Sequence, residues 1–151
     1  MSMNENKDDS LFEATRDVFK AMLGLDISKL AEQRDGCGKA VQVTIGIIGE
    51  LKGSIIYSFP EQTSLAIVNA LSGMETEGID DFVTSALAEI SNIISGNMTT
   101  YLSGQNISCD ILPPKIEIGD TLPSADKPIT LQINTSVGLL SEYITLQQAA
   151  E

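Results

Sequence analysis

The chain has 151 residues, with 9 Lys and Arg against 21 Asp and Glu, no His and no Trp, for a net charge of −12. The absence of histidine excludes a His general base, Ser-His and Cys-His nucleophile pairs and imidazole metal ligands. Charge of this sign is repelled by phosphate backbones and anionic lipid, which argues against nucleic acid and membrane surfaces as partners. A composition of 42% hydrophobic and 20% charged residues is globular rather than disordered. The apolar runs fall well short of the roughly 18 residues that span a bilayer, so no membrane insertion is expected. The N-terminal MSMNENKDDS carries no signal-peptide pattern. Cys37 and Cys109 lie far apart without a CxxC spacing. They read as reduced thiols of a cytoplasmic protein, with a single disulfide as the alternative.

Residues 1–8 are polar and acidic and read as a flexible tail, leaving 9–151 as a single domain. A first helix is predicted from Asp8–Ser10 to Leu23. There Leu11, Ala14, Val18 and Met22 recur at three- and four-residue steps, and Gly24 stops the run. Residues 26–38 read as a polar connection. The period then changes to two: Val41, Val43, Ile45 and Ile47 alternate with Gln42, Thr44 and Gly46, the pattern of a half-buried strand. Ile48-Gly49-Glu50 marks a turn into a second strand over Gly53–Phe59, giving a hairpin. Pro60 opens a helix over Glu61–Leu71, with Leu65, Ile67, Val68 and Leu71 inward and Gly73 beyond its end.

The longest helical pattern runs from Asp80 to Ser103 and closes at Gly104. Strands are predicted near Ile107–Leu112, Ile129–Val137 and Leu140–Leu146, with a short apolar segment at Ile116–Ile118. Hairpins of this kind with helices between them predict an α+β fold, a largely antiparallel sheet with helices packed on it. On a helical wheel Val83, Ala86, Leu87, Ile90, Ile93, Ile94, Met98 and Tyr101 share the apolar side of the long helix. Ser85, Glu89, Asn92 and Gly96 share the opposite side, where Glu89 and Asn92, three apart, are neighbours. Pattern alone is compatible with a merely solvated face. Gly96, however, weakens the helix by roughly 1 kcal/mol relative to Ala and leaves its surface bare for another backbone.

The stretch Ser85-x-x-x-Glu89-x-x-Asn92, continuing as Ile-Ile-Ser-Gly96-Asn97, resembles the signature helix of the CheC/CheX/FliY family of chemotaxis phosphatases, most nearly its CheX-like members. Phe12-Glu13-Ala14-Thr15 and Val18-Phe19 resemble the first helix of the same proteins. The resemblance implies a phosphatase acting on the aspartyl phosphate of a CheY-type response regulator, a homodimer, and no cofactor of its own, with Mg²⁺ supplied by the regulator. It implies Asn92 as the catalytic amide that positions water and Glu89 as its companion, pairing with the regulator's lysine. Ser85, Glu89 and Gly96 would contact the partner. Two departures stand out. Pro114 sits about one residue early relative to the family pattern. Asp9-x-x-x-Glu13 repeats half of the motif in the first helix, but Arg16 replaces the Asn, which reads as an inactive pseudo-repeat.

Two other classes compete. One is a non-catalytic module of the same fold that binds a response regulator or flagellar-switch component. The other is a metal-dependent hydrolase using Glu75, Glu77, Asp80 and Asp81, acids that a helix start also explains as caps and dipole partners. No metal site is assigned from the sequence.

Overall fold

The computed structural model describes residues 3–30, 38–119 and 129–148, with side chains from residue 9 onward. Helix α1 covers Met3–Val18 and runs into a single π-helical turn, Phe19–Leu23, closed by Gly24 in the left-handed conformation (φ 67°). Strand β1 is Ile27–Lys29, and β2 (Ala40–Gly49) and β3 (Leu51–Pro60) form the hairpin. Helices α2 (Glu61–Ser72) and α3 (Asp81–Ser103) follow, then β4 (Cys109–Ile111), β5 (Lys115–Gly119), β6 (Ile129–Thr135) and β7 (Gly138–Gln148). Among the described residues the seven strands make one antiparallel sheet in the order β1-β6-β7-β3-β2, with β4 and β5 both on the outer edge of β2. The α+β architecture expected from the hairpin and helix patterns is the one observed.

Register explains the core. Cross-strand partners share a face, so Val43, Tyr57, Glu142 and Leu131 form one row, and Ile45, Ile55, Ile144 and Ile129 the next. This is the face the helices cover, and apart from Glu142 it is almost wholly apolar. The alternate residues, among them Gln42, Thr44, Thr130, Tyr143 and Thr145, point to the other face. Two buried polar contacts tie helix to sheet: the Thr15 hydroxyl donates to Glu142 Oε2 at 2.7 Å, and the Tyr57 hydroxyl and Ser95 Oγ lie 2.7 Å apart. Burial pushes the Tyr57 phenol well above its usual range, Glu142 adds to that, and the Ser95 bond acts the other way. Tyr57 therefore stays neutral and serves as a hydrogen-bonding group.

Several boundaries differ from expectation, each for a physical reason. Residues 3–8, read above as a tail, continue α1 back to Met3, because apolar periodicity cannot register a polar helical turn. The connection 26–38 contains β1, a strand of three residues paired with Ile133–Thr135 and too short to show alternation. Leu71, expected inward, is exposed near the end of α2, while Thr63 and Ser64 at its start are buried. Thr63 donates to the Leu139 carbonyl and Ser64 to the Phe59 carbonyl, so α2 begins on hydrogen bonds to the sheet rather than on leucines. Cys109 is a partly exposed free thiol on β4, and Cys37 lies outside the described residues.

Gly53 is the tightest point in the sheet. Its φ is 153°, and a Cβ placed there would sit 1.8 Å from the Thr145 carbonyl oxygen of β7. Gly53→Ala should cost at least about 3 kcal/mol of unfolding free energy or prevent folding. Urea unfolding checks this; a wild-type midpoint would mean that the β3–β7 pairing is looser than described.

Candidate functional site

Helix α3 is fixed at its start by Asp80, whose carboxylate accepts from the Val83 backbone N–H at 2.9 Å, while Asp81 adds negative charge to the first turn. Val83, Leu87, Ile90, Ile94, Met98 and Leu102 are buried against the sheet. Ala88, Ser91 and Ser95 are buried with them, which the wheel did not assign to the inner side. Their small size lets the helix lie close to the strands, and their hydroxyls are satisfied: Ser91 donates to the Leu87 carbonyl at 2.8 Å and Ser95 meets Tyr57. Tyr101, placed inward by the wheel, is exposed. Its hydroxyl donates to the Asp17 carboxylate, which raises the phenol above its ordinary pKa and ties α3 to α1.

The opposite side of α3 carries the residues of interest. Ser85 and Glu89 are exposed, and Asn92 and Gly96 are partly so. Glu89 and Asn92 occupy successive positions on that face, one turn apart, on a backbone held from below by buried side chains. Among the described residues, no hydrogen bond or ion pair engages the side chains of Ser85, Glu89 or Asn92, so their polar atoms are available to a partner. A Cβ added at Gly96 would meet nothing within 4 Å. Its carbonyl accepts from Thr99 Oγ1 at 2.7 Å and Thr100 Oγ1 at 3.2 Å, so the backbone there is ordered while its outer surface is bare. One apolar side chain, Phe82, also stands exposed on this polar face.

The half-repeat on α1 is chemically different. Arg16, at the position corresponding to Asn92, pairs with Glu13, the counterpart of Glu89. Asp9 pairs with Lys29 at 3.5 Å, and the Lys29 ammonium lies 4.9 Å from the centre of the Phe12 ring. Asp9, Glu13 and Arg16 are thus each already paired, with one another or with Lys29 of β1. As for the acids before α3, Asp80 is occupied as the helix cap, and among the described residues no group of three or more His, Cys, Asp or Glu is placed to hold a metal ion. No described helix is long and apolar enough to cross a membrane.

Known proteins share this fold. The curated CheY-P phosphatase CheX of Thermotoga maritima is 35% identical over 94 residues, 62% of this chain and 61% of that protein, so the match spans under two thirds of the relative's length. The crystal structure of CheX from Vibrio vulnificus superposes with a TM-score of 0.81 at 21% identity, covering 92% of this chain and 95% of that one. The CheX–CheY–BeF3–Mg²⁺ complex from Borrelia burgdorferi gives a TM-score of 0.75 at 24% identity, covering 93% and 97%. These structural likenesses establish the shared fold. The family model described as chemotaxis phosphatase CheX matches residues 41–134, from the β2–β3 hairpin through all of α3 to β6, and the chain belongs to that family.

Proposed function

We propose that the protein hydrolyses the aspartyl phosphate of a CheY-type response regulator, with Asn92 holding the attacking water and Glu89 engaging the regulator's lysine. The observation that carries this reading is the pairing of Glu89 and Asn92, unengaged, on the outer face of a helix fixed by the sheet. The relative named a CheY-P phosphatase and the CheX–CheY complex among the neighbours support it.

An acyl phosphate is already activated, so the remaining demand is placement of water in line with the bond to be broken. The Asn92 amide can accept from and donate to one water, fixing its lone pair toward phosphorus. As the water oxygen bonds to phosphorus, the bond from phosphorus to the aspartyl oxygen breaks. The products are inorganic phosphate and a free carboxylate, and the water's proton is lost to solvent or to phosphate. The regulator's own Mg²⁺, together with its lysine, would stabilise the charge on the phosphoryl oxygens. Glu89 would set the register of α3 through a charge-assisted contact with that lysine. Ser85 lies at the rim of the same face, and Gly96 lets the partner's backbone approach.

The same reading makes the protein a cytoplasmic homodimer with reduced thiols. Strand β5 supports the dimer: it is an edge, and Ile116 and Ile118, in the rows facing the helices, remain 40% and 48% exposed. An uncovered apolar edge invites pairing with a second copy.

Asn92→Ala should lower phosphate release by about 100-fold or more without lowering the melting temperature. Glu89→Ala should mainly raise KM, by about tenfold, through the lost charge contact. Phosphate-release kinetics under excess phosphorylated regulator check both, and release by the wild type no faster than the regulator's own dephosphorylation would instead identify a binding module. Gly96→Ala should raise unfolding free energy by about 0.5–1 kcal/mol yet weaken binding to the BeF3-activated regulator, a combination that thermal melts and calorimetry read together. Ile118→Lys should halve the mass seen in sedimentation; an unchanged mass would place any dimer contact elsewhere.

A further inference from the structure

We propose that Phe82, with Met74 beside it, is a second anchor of the docking face, taking an apolar side chain of the response regulator that is flanked by a cationic one. This rests on the phosphatase reading above and extends it to a residue outside the Ser85–Gly96 stripe.

Three observations meet here. First, Phe82 is 43% exposed in the first turn of α3 and Met74 is 57% exposed in the preceding loop. Both line one open concavity of about 740 Å³, together with Glu75, Glu77, Ile79 and Asp80. Secondly, Phe82 lies seven residues before Glu89, two turns along the same line of the helix and about 10 Å away. A partner seated on Glu89 and Asn92 therefore reaches Phe82 without reorientation. The backbone at Phe82 is also held in place, because the Asp80–Val83 hydrogen bond spans it. An aromatic on a pre-ordered backbone loses little freedom on binding.

Thirdly, the electrostatics select the occupant. Between Lys52 and Lys115 the sequence has no Lys or Arg, and this stretch includes α2, the loop and all of α3. Glu75, Glu77, Asp81 and Glu89 are exposed there with no cation of the same segment to offset them. Two copies of such a face repel one another, which disfavours self-association through it. A partner with an apolar side chain set among Lys or Arg is complementary, and the lysine paired with Glu89 belongs to the same kind of surface.

The test uses full-length protein and a CheY-type regulator loaded with BeF3 and Mg²⁺. Phe82→Ala should raise the dissociation constant, and KM for phosphate release, about tenfold, with kcat changing less than KM. Phe82→Leu should restore most of the loss. Met74→Ser, altering a loop residue, should weaken binding in the same direction, so the reading remains testable if Phe82→Ala lowers the melting temperature. Wild-type affinity in both Phe82→Ala and Met74→Ser overturns the anchor while leaving the Asn92 assignment intact. Failure of the wild type to bind any phosphorylatable regulator of the host overturns the anchor together with the reading on which it rests. A drop in sedimentation mass for Phe82→Ala would assign the patch to self-association and also overturn the proposal.

Discussion

Burial of α3 along Val83, Leu87, Ile90, Ile94 and Met98 fixes how far the helix is turned about its own axis, and so which side chains face outward. A rotation of one residue position would carry Glu89 toward the largely apolar sheet face, where burying a second carboxylate besides Glu142 is costly. The small residues Ala88, Ser91 and Ser95 help to hold that rotation, because larger side chains at those buried positions would push the helix away from its neighbours, α1 and β2 among them. The Tyr57–Ser95 contact adds a directional check that apolar packing lacks. Everything offered to a partner is thus determined from beneath.

The chemistry proposed for this face suits a chain without histidine. A carboxylate and an amide are weak catalysts of proton transfer, but they are good orienting groups when the labile bond and the charge-stabilising cations come with the other protein. The segment between Lys52 and Lys115, acidic and without Lys or Arg, would under that proposal also act in the encounter itself, since a long-range field of one sign steers a cationic partner before contact.

The amphipathic pattern of α3, the β2–β3 hairpin and the start of α2 at Pro60 could be read from the residues because each is encoded by local periodicity or a single residue of fixed φ. Glu89, Asn92 and Gly96 could be placed on one face for the same reason. What escaped was tertiary. β1 exists only because Ile133–Thr135 are there to pair with it. Tyr101 turns outward because Asp17 of α1 offers its hydroxyl an acceptor. Phe82 shares the line of Glu89 on α3, but helical spacing does not tell whether another element covers it; its exposure belongs to the folded chain.

The internal pairing on α1 bears on stoichiometry. With Arg16 held by Glu13 and Lys29 shared between Asp9 and the Phe12 ring, the residues of similar spacing on α1 are already paired. Under the proposed reading each chain would then offer one reactive face. A two-chain assembly would load two regulators independently, with hyperbolic rather than sigmoidal saturation.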